Sequence, residues 1–435
     1  MKEYDEKIFF ILLGLTFVAA FFALGSVPIL EPYEIIYQDI AKTMLKTGEF
    51  LVVQNDGYKN FSMPPFYFWV LSAIEYFETM PDFFIRVPSA VCVSLTAFFL
   101  YSYCTKFFDE RAGFWSCLVL ISISLVVLSA KLAFNVPFFV FAFTMFAFCY
   151  LRCQYWLMYL FIVLCVATGG LAGIVFPVLL IFLHCLCLGK LERLFNIHLV
   201  LGLLCVGLVF SPWVIINNAQ YGNEFVKGFF SFNSLAPYVQ DIAQNHSFWY
   251  YFPILLIALM PWTGFLFGAV WDSFADSKID EMEKMLFMYL WLVCGFVFLM
   301  CYPLRFVTML WLVMPPLAVV LGWDLCCMEK KSYREIENNH YLTGSVVTFL
   351  IMTNIWYVLG KLSQELLLPS YVMMFLTLLL LVAIVFTMLY YRDVFFYGML
   401  HVGMGILNMV FFTLFFFPII AEQINLHEHI LNLLK

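Results

Sequence analysis

Stretches such as "VLGLLCVGLVFSPWVII", residues 200–216, run without a single charge and recur along most of the chain. In lipid no water is available to the backbone, so every N–H and C=O must find a partner within the protein. Only α-helices and closed barrels meet that condition. A barrel strand alternates apolar and polar residues, whereas these runs are apolar on every side, which selects the helix. Composition agrees: of 435 residues, 64% are hydrophobic and 12% charged, against about 45–50% and about 25% in soluble domains. The expected fold class is an all-α, polytopic membrane helix bundle.

A crossing takes about 20 apolar residues, and about thirteen candidate spans can be drawn on that basis. They cover roughly 8–29, 84–104, 112–130, 134–151, 155–168, 169–189, 196–216, 248–271, 285–302, 305–326, 341–361, 370–390 and 395–420. Arg152 and Gly169-Gly170 are the only breaks between the fourth, fifth and sixth. The first run, near 8–30, has no small-residue cleavage site and reads as a retained helix. With the N-terminus in the cytoplasm, the short loops 105–111, 190–195 and 328–335 are basic and inside, as the positive-inside rule asks. The cysteines lie mostly within apolar runs and have no CxxC spacing, so they read as small packing residues. No His, Cys or carboxylate spacing suits a metal, no cofactor is expected, and the scattered net charge of −7 offers nothing to nucleic acid.

Two long segments, 30–83 and 217–247, then fall outside. In the first, Tyr33, Ile36, Tyr37, Ile40, Met44 and Leu45 recur at helical spacing, with Glu34, Gln38, Lys42 and Lys46 on another face. Pro32 and Gly48 bracket this amphipathic helix. A second helix is expected from Pro64-Pro65, carrying Phe66, Trp69 and Ile74 into the interface. A loop folded back on a bundle in this way encloses space at the lipid–water boundary, where a lipid-linked head group sits.

"EIIYQDIAKTMLKTGEFLVVQNDGYKNFSMPPFYFW" (34–69) resembles the first periplasmic loop of the GT-C glycosyltransferases of the aminoarabinose-transferase and protein-O-mannosyltransferase-like group. Similar pieces follow in the family's order: "RVPSAV" (86–91), "GGLAGIVFPVLL" (169–180), "FSPWVIINNAQYGNEFVKGFF" (210–230), "NHSFWYYFPILLIALMPWTGFLF" (245–267) and "CYPLRFVTMLWLVMPPLAVVLG" (301–322). The resemblance implies a GT-C core over 1–326, with outer loops 30–83 and 217–247, followed by further transmembrane helices over 327–435. It implies inverting transfer of a sugar from a polyprenyl phosphate to an envelope lipid, glycan or protein at the periplasmic face of the inner membrane. The partners are then the polyprenyl-phosphate-linked sugar, that acceptor and the bilayer.

The chemistry-bearing positions depart from the family pattern. Of its Asp-Glu pair only Glu34 matches, beside Tyr33; its Glu-Lys before Pro-Pro is Ser62-Met63; its second acidic position is Asn135; a lysine is replaced by Gly169 and a tyrosine by Met309. Arg305 survives in kind, and His246 matches a histidine before the Phe-Trp-Tyr-Tyr run. Glu34 is the candidate catalytic carboxylate, although the N-terminal end of a helix favours a carboxylate anyway. Arg305 suits a phosphate through paired hydrogen bonds, or snorkels to head groups. Lys59, Lys131, His246 and Asn135 complete the candidate substrate-binding set, with interfacial anchoring the plain reading of both Lys131 and Arg86. Two other functions fit the same sequence: a non-catalytic protein of this fold that binds a lipid-linked sugar or assists another transferase, and a transporter or flippase. The last is disfavoured by the scarcity of ionisable residues in the spans and the lack of an internal repeat.

Overall fold

A computed structural model describes residues 2–26, 29, 33–55, 57–77, 82–195, 197–230, 248–266, 268–269, 279–301, 306–330, 340–361, 364–391, 393–419 and 421–422. Helix dominates, as the apolar runs require. The first half comprises α1 (Lys2–Phe21), α2 (Tyr33–Thr47), the hairpin β1 (Val53–Asn55) and β2 (Tyr58–Asn60), α3 (Phe66–Glu75), α4 (Phe83–Phe107), α5 (Glu110–Ser122) and α6 (Ser124–Ala130). It continues with α7 (Val136–Leu151), α8 (Tyr155–Gly169), α9 (Ala172–Cys187), α10 (Ile197–Tyr221) and α11 (Asn223–Phe230). Beyond these come the long helices Ile279–Cys301, Met314–Lys330, His340–Gly360, Gln364–Phe386 and Val394–Phe411.

Thirteen full-length spans are not what forms among the described residues. Seven helices are long and apolar enough to cross, or eight if α5 and α6, bent 68° from each other, make one broken span. The helices α7, α8 and α9 have 16, 15 and 16 residues. At 1.5 Å per residue they reach only about 24 Å, short of a hydrocarbon core of about 30 Å. Their ends fall at Arg152 and at Gly169-Gly170, the breaks visible in the sequence. Among the described residues of the expected span 248–271 are 3-10 turns at Phe248–Tyr250 and Thr263–Phe265 and a short helix, Tyr251–Ala258, rather than one long helix.

The core forms where helices meet over small residues. A Cβ on Gly322 would lie 2.4 Å from Ser116, and one on Gly113 2.3 Å from Thr105, so these glycines let α5 lie directly on Met314–Lys330 and on α4. The stretch Val307–Lys330 is the most enclosed span. The helices after residue 340 attach through a buried polar chain. Tyr341 donates to Asp324 (2.9 Å), and Ser345 bonds both the Tyr397 hydroxyl (2.5 Å) and His401 Nε2 (3.0 Å). Polar groups at this depth hold helices together because their alternative is an unsatisfied bond in hydrocarbon.

Candidate functional site

The described residues of the two long loop segments, 30–83 and 217–247, fold into a roof. Helix α2 buries Ile36, Tyr37, Ile40 and Met44 of the expected stripe, together with Ala41, and ends at Gly48, whose φ of +71° no β-carbon residue adopts cheaply. Helix α3 packs beside it, with Tyr37 stacked on Phe68 at 5.5 Å and Gln38 donating to Glu75 at 2.8 Å. Helix α3 buries Tyr67, Phe68 and Leu71 rather than Trp69, which is 42% exposed. The Trp69 indole instead donates to the Phe50 carbonyl (2.6 Å), and the Trp213 indole on α10 donates to the Leu51 carbonyl (2.8 Å). Val52 and Phe61 join Trp213 and Phe225 in a small core, so the first loop segment rests on α10 and α11.

Beneath α2 lies a charged group of three. Glu34 was expected on the polar face, yet it is fully buried. Arg86 of α4 donates through Nε to Oε1 (3.0 Å) and through Nη2 to Oε2 (2.7 Å), and the Ala133 amide donates to Oε1 (2.7 Å). Arg86 also reaches the Leu24 carbonyl (3.1 Å), just past α1. Interfacial anchoring is therefore not the role of Arg86, which is 1% exposed and is the counter-ion of Glu34. Lys131, also buried, donates to the Phe22 carbonyl and lies 5.7 Å from the Phe22 ring. The two cations thus cap the carbonyl end of α1, where positive charge is favoured. Burial, with the Arg86 charge as a second cause, pulls the Lys131 ammonium down to about 8. With one carboxylate against two cations, the group is left positive by one charge.

A neutral cluster adjoins it. The Tyr37 hydroxyl donates to Asn135 Oδ1 (3.1 Å), and Asn135 Nδ2 donates to the Thr168 carbonyl (3.1 Å) with Met63 Sδ at 3.9 Å. Thr168 offers only an acceptor there, which fixes the amide orientation. One turn of chain away, Asn60 Oδ1 accepts from the Ser62 amide (2.9 Å) and hydroxyl (2.7 Å). Asn60 Nδ2 is buried and has no acceptor among the described residues. Gly170, at φ +57°, closes the cluster: a Cβ there would lie 2.1 Å from the Ser62 carbonyl oxygen.

Of the candidates named from sequence, the fold brings Glu34, Lys131 and Asn135 to one region under α2. It also brings Ser62-Met63 to Asn135, and Gly170, the neighbour of Gly169, to Ser62. Three of the positions at which this chain departs from the family pattern, Ser62, Met63 and Asn135, are therefore neighbours in space. Lys59 stands apart: it is exposed on β2, with Nζ 4.4 Å over the Tyr221 ring. Arg305 and His246 lie outside the described residues. Arg86, Tyr37, Thr168 and Asn60 were not singled out as site residues. Arg86 was visible only as the first residue of "RVPSAV" and as an interfacial cation, and Tyr37 only as part of a helical stripe.

The family whose sequence profile matches is the dolichyl-phosphate-mannose-protein mannosyltransferases, over residues 62–216. An undecaprenyl phosphate-α-4-amino-4-deoxy-L-arabinose arabinosyl transferase of Proteus mirabilis is 26% identical over 373 residues, covering 80% of this chain and 66% of the relative. A protein of the same description from Photorhabdus laumondii is 25% identical over 318 residues, covering 67% of this chain and 54% of the relative. The chain thus spans less than two thirds of the length of either. Among solved structures, ArnT from Cupriavidus metallidurans bound to undecaprenyl phosphate superposes with a TM-score of 0.74 at 17% identity, over 93% of this chain and 76% of that one. Its apo state gives 0.73 at 18% identity. The likeness establishes the GT-C fold.

Proposed function

We propose that this chain, a multi-pass membrane protein of GT-C fold and similar to the aminoarabinose transferases, moves a sugar from a polyprenyl-phosphate carrier to an envelope acceptor. The acceptor is a lipid, glycan or protein, and transfer occurs at the periplasmic face of the inner membrane with the N-terminus in the cytoplasm. The observation that carries the reading is the positively charged group of Glu34, Arg86 and Lys131 sealed beneath α2. It lies in a fold that a protein seen bound to undecaprenyl phosphate also has.

In this reading the carrier phosphate is the leaving group as the acceptor oxygen attacks the anomeric carbon from the opposite side. The acceptor–carbon bond forms as the carbon–phosphate-oxygen bond breaks, and the electron pair leaves with the polyprenyl phosphate. Cations stabilise that developing charge. Lys131 is proposed for this role, with Arg305 and Lys59 as the other cations the sequence offers. His246 is carried as a further contact to substrate oxygen. Glu34 acts through Arg86, because both of its oxygens are already engaged. It is thus a positioning residue in the resting geometry. An acceptor that is already anionic attacks without a general base, which suits a site whose carboxylate is occupied.

The test is mass spectrometry of envelope lipids and glycans from cells lacking the protein, complemented with wild type, Arg305→Ala or Lys131→Ala. A sugar mass lost on deletion and restored by wild type alone is the expected result. No mass change, with the protein verifiably expressed, overturns transfer. The second reading, a non-catalytic binder, draws on the neutral cluster around Asn135, where the family pattern has charged residues. Binding of undecaprenyl-phosphate sugar without turnover by the purified protein would select it.

A further inference from the structure

We infer that the sugar taken by this site is uncharged, a neutral pentose or hexose rather than an amino sugar; the inference rests on the transferase reading above and narrows its donor. The relatives' names specify a 4-amino-4-deoxy sugar, whose amine is a cation at neutral pH. A buried cation needs a carboxylate or several acceptors.

Among the described residues, the region under α2 holds no carboxylate in free form. The carboxylate that enters it, Glu34, is answered on both oxygens by Arg86 and again by the Ala133 amide. With Lys131 beside the pair, the nearest charges sum to a positive value, which repels an ammonium. The adjoining groups are an amide, hydroxyls and a carbonyl. Asn135 uses its two ends differently, accepting from Tyr37 and donating to the Thr168 carbonyl. A carboxylate in its place would set an anionic oxygen against that carbonyl, so the surroundings are built for an amide. Asn60 Nδ2 adds a second sign: it is a buried donor with no acceptor among the described residues, in a residue 6% exposed. A sugar hydroxyl or ring oxygen can accept from it. An ammonium has no lone pair and cannot, so an amine presented at this point leaves Nδ2 unmet where a hydroxyl would meet it.

The matched test uses the full-length protein in nanodiscs and competition against labelled undecaprenyl phosphate. The competitors are undecaprenyl-phospho-arabinose and undecaprenyl-phospho-4-amino-4-deoxy-arabinose, which differ only in hydroxyl against amine. The neutral compound is expected to bind about tenfold or more tightly than the amine, the usual consequence of leaving one buried polar group unpaired. Equal or better binding of the amine overturns the inference and leaves the transferase reading standing. Failure to bind undecaprenyl phosphate at all overturns both. Asn135→Asp should move the preference toward the amine by about tenfold. An unmoved ratio in a variant that still binds undecaprenyl phosphate counts against the inference, and Ser62→Asp serves in the same way if Asn135→Asp does not fold.

Discussion

Replacing Glu34 with alanine leaves Arg86, 1% exposed, without its counter-charge. Breaking one side of a buried pair costs about 3–5 kcal/mol, so Glu34→Ala should lower the unfolding midpoint of the purified protein sharply. The paired variant Glu34→Gln/Arg86→Gln, which strands no charge, should lose less than Glu34→Ala alone; an equal or larger loss would refute the ion-pair account. Lys131 lends itself to a pH test. Its ammonium titrates at about 8 rather than 10.5, with Arg86, Glu34 and the Phe22 carbonyl around it. It is charged below that pH and neutral above, so affinity for undecaprenyl phosphate should fall as pH rises through about 8. Lys131→Arg keeps the charge and should flatten the profile. Stability moves the other way: between about 8 and 10.5 the unfolded chain holds a proton that the folded one has shed. The fold therefore gains stability across that window. At this scale the sequence was least legible. Glu34 and Gln38 lie a turn apart on α2, and nothing in their spacing says that Glu34 faces an arginine 52 residues away.

The elements were more legible, because their causes are local. The stripe Ile36, Tyr37, Ile40 and Met44 predicts α2, and Gly48 its end; both hold. Pro64-Pro65 predicts the start of α3, which begins at Phe66. The face that α3 buries was not named, while Phe66, Trp69 and Ile74 share its other, open face, where Trp69 also caps the Phe50 carbonyl. That bond depends on the path of the hairpin between the helices, which lies beyond any local rule. Two elements carry their own predictions. Gly170→Ala places a methyl group 2.1 Å from the Ser62 oxygen at a φ of +57°. It should destabilise by about 1–3 kcal/mol and depress activity more than the same change at Gly207, which meets nothing within 4 Å. Trp213→Phe removes the bond to Leu51, worth about 1 kcal/mol. It should speed proteolysis within 50–61 while leaving the bundle intact; an unchanged cleavage rate would show that the roof does not depend on α10.

Over the whole molecule, Lys59 and Cys153 offer a test of orientation, as both are exposed. With the N-terminus inside, an impermeant maleimide applied from the periplasm should label Lys59→Cys and spare Cys153; the reverse pattern would invert the topology. Class, helical character and the order of elements came from the chain itself, because the backbone's demand for hydrogen bonds in lipid acts on each apolar run separately. How many runs cross did not, since α7, α8 and α9 are too short alone and α5 and α6 part at a 68° bend. The ordered resemblance identified the fold. Only the tertiary structure could show that Ser62, Met63, Asn135 and Gly170 are neighbours, and that Glu34 belongs to Arg86. Local sequence sets what a segment can become, through propensity and polarity within a few turns. Which charges meet depends on helices far apart in the chain packing within hydrogen-bond distance, and that distance is a property of the folded whole.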